Sequence, residues 1–244
     1  MKQKIYLYTP RLKIARLFAA SLVLGRAEEI ELLVLPYPRE IKMELEKFTR
    51  SIISWKYLQK RIIELMGSYG YSWLDIEEPL FLGLKLIRER NPKLDLYLYR
   101  SIGDEDEKYR ITSDLLALAL KYRVTGKIEV EEWRRVLSGY RRKRVEVGNK
   151  RTIIIIEDRS QAPSGSILIE ALPGYIESPL DKLFSSPVSE QIIKEYIEYV
   201  TEYLAKYSSI DYAYFKWLKD KGFQGLIVQL SDYFLNLLSA IGED

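Results

Sequence analysis

The most informative hydrophobic pattern in the chain is Thr152-Ile153-Ile154-Ile155-Ile156, an unbroken apolar run that ends in Glu157 and Asp158. β-Branched side chains suit a pleated surface, and a run without alternation has no face left for water. The pattern predicts a strand buried on both sides, in the middle of a mostly parallel sheet. Its carboxyl end is where open α/β sheets hold ligands. Shorter apolar runs at Lys4–Tyr8, Ile30–Leu35 and Ser166–Leu172 predict further strands. Leu94–Tyr99 alternates leucine with aspartate or tyrosine, which suits a position near an edge.

The helical period appears between these runs. Leu12, Ala15, Leu17, Phe18, Leu22 and Val23 form a broad face that closes at Gly25. With its flanking strands this helix makes a βαβ unit, for which a right-handed crossover is expected. Arg39 to Gly67 reads as one long helix carrying Ile41, Leu45, Phe48, Ile52, Trp55, Leu58, Ile62 and Leu65. Packing on its own sheet accounts for that face better than a partner or a dimer does. Ser68–Ser72 reads as a turn, Glu78–Arg90 as a helix with an acidic start and an early proline, and Ser101–Lys108 as a polar loop. A helix capped by Thr112-Ser113-Asp114 follows, and then an arginine-rich one from Glu129 to Val145. The link Arg159–Gly165 is too short for a crossover helix. The strand after it should therefore pair antiparallel with the isoleucine strand or bend away from it.

Pro173–Pro187 is the best candidate boundary. Beyond it lie a helix with Ile192, Tyr196, Tyr199, Val200, Tyr203 and Tyr207 on one side, an aromatic helix Asp211–Lys221, a short strand Leu226–Val228, and a final helix from Ser231 to near Gly242. The expected fold is α/β: a central mixed, mainly parallel sheet flanked by helices, with a helical C-terminal portion. Residues 1–177 would form the α/β domain and 178–244 the helical part packed on it, or the whole would be one domain.

Composition narrows the chemistry. Cysteine and histidine are both absent, which excludes disulfides, thiolate or imidazole zinc sites, cysteine nucleophiles and histidine-based triads. Any bound metal would be a hard, oxygen-liganded one such as magnesium or manganese. Three asparagines and six glutamines stand beside 38 basic and 35 acidic residues, a balance typical of hyperthermophile proteins. An archaeal, cytoplasmic protein is the expectation. No apolar run reaches the length of a membrane span.

Two constellations suggest function. Trp133, Arg134, Arg135, Tyr140, Arg141, Arg142, Lys143 and Arg144 combine guanidinium groups, which grip phosphates, with rings on which bases stack. They support a protein that binds a polyanion, with nucleic acid as the leading ligand. The alternative is a magnesium- or manganese-dependent hydrolase using Glu157, Asp158 and Asp104 as catalytic carboxylates, with Asp104, Asp106 and Asp158 as metal ligands. A third reading is a structural subunit that buries the Ile41–Leu65 or Ile192–Tyr207 face against another protein or a second copy.

Overall fold

A computed structural model describes residues 3–140, 145 and 147–230. In chain order the elements are β1 (Lys4–Tyr8), α1 (Lys13–Leu24), β2 (Leu32–Pro38), α2 (Lys42–Thr49), α3 (Trp55–Met66), α4 (Tyr69–Arg90), β3 (Asp95–Arg100), α5 (Ile102–Thr125), α6 (Val130–Ser138), β4 (Thr152–Ile156), β5 (Ile167–Glu170), α7 (Pro179–Ser185), α8 (Glu190–Glu198) and α9 (Ile210–Asp220). They fall into two compact units, Met1–Leu115 with Arg135–Leu172, and Leu116–Arg134 with Pro173–Asp244. The helical unit therefore draws a segment from the middle of the chain, which a single cut near residue 177 does not convey.

The first unit is an α/β fold around a five-stranded sheet of order β3-β2-β4-β1-β5. Every pairing is parallel, so no mixed sheet forms among the described residues. The isoleucine strand β4 is central and buried along its whole length. β3 is an edge strand, as its alternation predicts. Of the two arrangements expected for β5, antiparallel pairing with β4 does not occur, and the strand lies away from β4. Both edges of β4 are already taken by β1 and β2, and β5 pairs instead with the far side of β1, in the same direction. The ten residues between Ile156 and Ile167 make this possible without a crossover helix. They can reach about 33 Å, whereas a five-residue strand is only about 17 Å long.

Three helical boundaries also differ from the sequence expectation. The long helix is broken at Arg50–Ser54, where Ser51 adopts a left-handed φ of 59° and Ser54 caps α3 by accepting from Tyr57 N at 3.2 Å. The expected turn at Ser68–Ser72 is instead the first part of α4, which continues through Pro79. An interior proline costs roughly 3 kcal/mol, a cost set against the burial of Trp73, Leu74, Leu80, Phe81, Leu84 and Ile87 on one face. Residues 224–230 are helical where a short strand was expected. The final helix expected from Ser231 lies outside the described residues.

One sheet face, with Leu7, Leu33, Leu35, Leu96, Leu98, Ile153 and Ile155, packs into a single core with α1 to α4. Ile41, Leu45, Phe48, Leu58 and Ile62 are part of this core, whereas Ile52, in the break between α2 and α3, stays exposed. α1 and α4 approach closely: a Cβ built on Gly83 would stand 2.5 Å from Ala20 Cβ.

The second unit is built on rings. Trp133 meets Tyr196 edge-on, Tyr199 contacts Tyr203 and Trp217, and Tyr214 packs on Tyr175 and Trp217. Ser178, Ser189 and Ser209 cap α7, α8 and α9 through their hydroxyls. α8 passes directly into a π-helical turn, Tyr199–Leu204. Tyr196, Tyr199, Val200 and Tyr203 are buried, so this face is used within the chain.

Candidate functional site

The carboxyl ends of β1, β3 and β4 bring a group of charged side chains together around Glu157. β4 ends at Ile156, so Glu157 is the first residue beyond the buried run. Its Oε1 accepts from Arg16 Nη2 at 2.6 Å and Arg11 Nε at 3.4 Å. Its Oε2 pairs with Arg100 Nη2 and Lys108 Nζ, each at 2.8 Å. Burial alone would raise this carboxyl group, but Arg100, Lys108, Arg11 and Arg16 together hold it well below the ordinary range.

The inner part of the cluster is closed to water. Arg16 points from α1 beneath the sheet rim and grips Glu77 of α4 with both arms, Nε to Oε2 at 2.7 Å and Nη2 to Oε1 at 2.8 Å. Its Nη1 donates to Thr9 Oγ1 at 2.7 Å and to Thr9 O at 3.0 Å. Tyr37 OH donates to Glu77 Oε2 at 2.9 Å. Burial and then the charge of Glu77 raise that phenol well above its ordinary value.

The outer part is built by the start of α5. Residues 101–108, expected to be a loop, are helical from Ile102, because Ser101 and Asp104 cap one another. Asp104 Oδ2 accepts from Ser101 N at 2.6 Å, and Asp104 N donates to Ser101 Oγ at 3.3 Å. Acids in a first helical turn are further favoured by the helix dipole. The helix then presents Glu105 and Lys108, three residues apart, on one side. Glu105 accepts from Arg100 Nη1 at 2.8 Å and Arg11 Nη2 at 3.2 Å. Despite burial, Arg100, Arg11 and Lys108 hold its carboxyl group low. Lys108 is pushed down to about 8, first by burial and then by Arg11 and Arg100, against the pull of Glu157 and Glu105.

Four cations thus meet three carboxylates, Glu77, Glu105 and Glu157, in one network. The Arg16 side chain is 0% exposed, whereas Lys108 retains 14% and Arg11 31%. Tyr99 and Tyr140 lie beside the outer part. Burial lifts Tyr99 to about 12, and burial likewise raises Tyr140, which feels Arg100, Glu157, Arg11 and Asp158.

Of the residues proposed from sequence, Glu157 is the centre of this network and Tyr140 borders it. The other acids do not join it. Asp158 caps a 3-10 turn by accepting from Ser160 N at 2.8 Å, Asp104 caps α5, and Asp106 accepts from Tyr69 OH at 3.0 Å. Among the described residues no acids gather into a group able to hold a metal ion, and the carboxylate of Glu157 faces cations on both oxygens. The structure thus sets Glu157 among cations, Asp158 at a 3-10 turn and Asp104 at the start of α5. Trp133 is buried against Tyr196, and its ring is closed to a stacking base. Arg134 and Arg135 are exposed, with Arg134 paired to Glu131 at 2.5 Å. Arg141, Arg142, Lys143 and Arg144 lie outside the described residues. Arg11, Arg16, Tyr37, Glu77, Arg100, Glu105 and Lys108 were not anticipated. The available signal was a lone charge on an apolar helix face, at Arg16 and again at Glu77. No family model, curated protein or solved structure matches this chain.

Proposed function

We propose that the chain binds a phosphate-bearing anion at the carboxyl rim of its sheet, with nucleic acid as the leading ligand. The observation that carries this reading is the convergence of Arg11 just past β1, Arg100 at the end of β3 and Lys108 on α5 around Glu157, with Arg11 and Lys108 reaching solvent. Open α/β sheets hold their ligands in this position. A guanidinium has five N–H donors and an ammonium three. Among the described residues the carboxylates engage two of those on Arg11 and one on Lys108. The cations also outnumber the acids by one, so an incoming anion meets a favourable field.

The polyanionic form of the reading draws support from Tyr140. This ring borders the cluster, and Arg141, Arg142, Lys143 and Arg144 follow it directly in sequence. A polyanion held at the rim by one phosphate would have further phosphates to offer to these four cations. Composition adds a thermophilic, archaeal and cytoplasmic setting to the proposal. Filter binding with RNA and single-stranded DNA between 50 and 200 mM salt tests it. The expectation is affinity that falls steeply with salt and weakens in Arg141→Ala/Arg142→Ala and in Arg11→Gln. Affinity indifferent to salt and to both variants would overturn it.

A further inference from the structure

We infer that the group recognised at the rim is a terminal phosphate monoester, the end of an oligonucleotide or a free nucleotide, rather than a phosphodiester within a strand. The inference rests on the rim reading above and adds the class of ligand. Its basis is how far the cations are recessed. Arg100 and Lys108 keep only 10% and 14% of their side chains in contact with solvent, and Arg11 keeps 31%. Lys108 Nζ and Arg100 Nη2 are fixed on one oxygen of Glu157, and Arg11 and Arg100 jointly clasp Glu105. The donors therefore sit at the bottom of the rim instead of along a ridge.

A phosphodiester carries a nucleoside on either side, one negative charge and two non-ester oxygens, and can present only its edge to such a recess. A monoester hangs on a single P–O link, carries a charge between −1.5 and −2 near neutrality, and offers three acceptor oxygens. It can be inserted end-on and engage Arg11 and Lys108 together without displacing Glu157, whose hold on Arg16 and Arg100 remains. Glu105 and Glu157 sharpen the selection. These carboxylates repel any anion, so binding requires a group that bonds to Arg11 and Lys108 together. Tyr99 and Tyr140 at the border supply surfaces for the sugar or base that trails behind the phosphate.

The test is fluorescence anisotropy on the full chain with one single-stranded RNA carrying a 5′-phosphate, a 3′-phosphate or hydroxyls at both ends. Adenosine 5′-monophosphate and inorganic phosphate serve as competitors. The expected result is that one phosphorylated end binds about tenfold tighter than the hydroxyl-ended strand, the size of one charge-assisted contact. Arg11→Gln and, independently, Lys108→Gln should weaken both kinds of strand but the phosphorylated one more, so that its advantage shrinks to about twofold or less. Competition by the mononucleotide as effective as by the strand end identifies a free nucleotide as the source and supports the proposal. Equal binding of all three strands would overturn the terminal-phosphate inference and leave the rim reading standing. Failure of every phosphate-bearing probe would overturn both.

Discussion

The two halves of the Glu157 network use the same chemistry in different settings. On the inner side, Arg16 meets Glu77 and Thr9, Tyr37 meets Glu77, all four are buried, and every arm of the guanidinium has a partner. On the outer side, Arg11, Arg100 and Lys108 share two carboxylates at the edge of solvent. An ion pair sealed in the interior fixes geometry, because losing one member strands a charge. A cluster at the rim has charge and donors to exchange with a ligand. The comparison teaches that the inner half is scaffold for the outer. Arg16 is the hinge between them, since its Nη2 contacts both Glu77 and Glu157.

The strongest way to break this division is at its hinge. Arg16→Ala leaves Glu77 buried with only Tyr37 to oppose it, and a loss of about 3–5 kcal/mol in urea unfolding is expected. A change under 1 kcal/mol would show that the inner half supports nothing. Tyr37→Phe removes one donor from the same carboxylate. It should cost about 1–3 kcal/mol, and a neutral outcome would mean that water replaces the phenol.

The outer half is sharpened by pH. The folded pKa of Lys108, about 8, lies below the roughly 10.4 of an unfolded lysine. Between those values the unfolded chain binds more protons, so stability rises with pH across that window. The carboxylates of Glu105 and Glu157 act at the other end of the scale. Their folded pKa values are depressed, so their contribution is complete above the unfolded carboxylate range and is lost as pH falls through the lower folded values. Stability measured from pH 7.5 to 10.5 should rise in the parent and flatten in Lys108→Gln. An identical rise in both would reassign the effect to another group.

The legible parts of this molecule are those in which one signal dominates. Ile153–Ile156 has no polar alternation, so its central place follows from burial alone, and Glu157 is delivered to the rim because it is the next residue. The position of β5 was hidden because strand order depends on which edges are still open, a property of the assembled sheet that no single segment carries. α5 was hidden for a different reason. Four acids in a row resemble a solvated loop, yet two of them, Asp104 and Glu105, fall in the first helical turn and stabilise the terminus, and Glu105 and Lys108 enter the site only once that turn exists. Arg16 and Glu77 were visible in principle. Each interrupts an apolar helix face, with Ala15 and Ala19 around the first and Trp73, Leu74, Leu80 and Phe81 around the second. Opposite charges on two such faces point to a buried pair, even though the residues are 61 positions apart.

The most direct measurement of the central claim is a calorimetric titration with pyrophosphate at low salt, run on the parent chain and on Arg11→Gln. Saturable heat is expected from the parent, with affinity weakened about tenfold by the substitution and unfolding midpoints of the two proteins that differ little. No saturable heat from the parent, or equal affinity in both proteins, would contradict that claim.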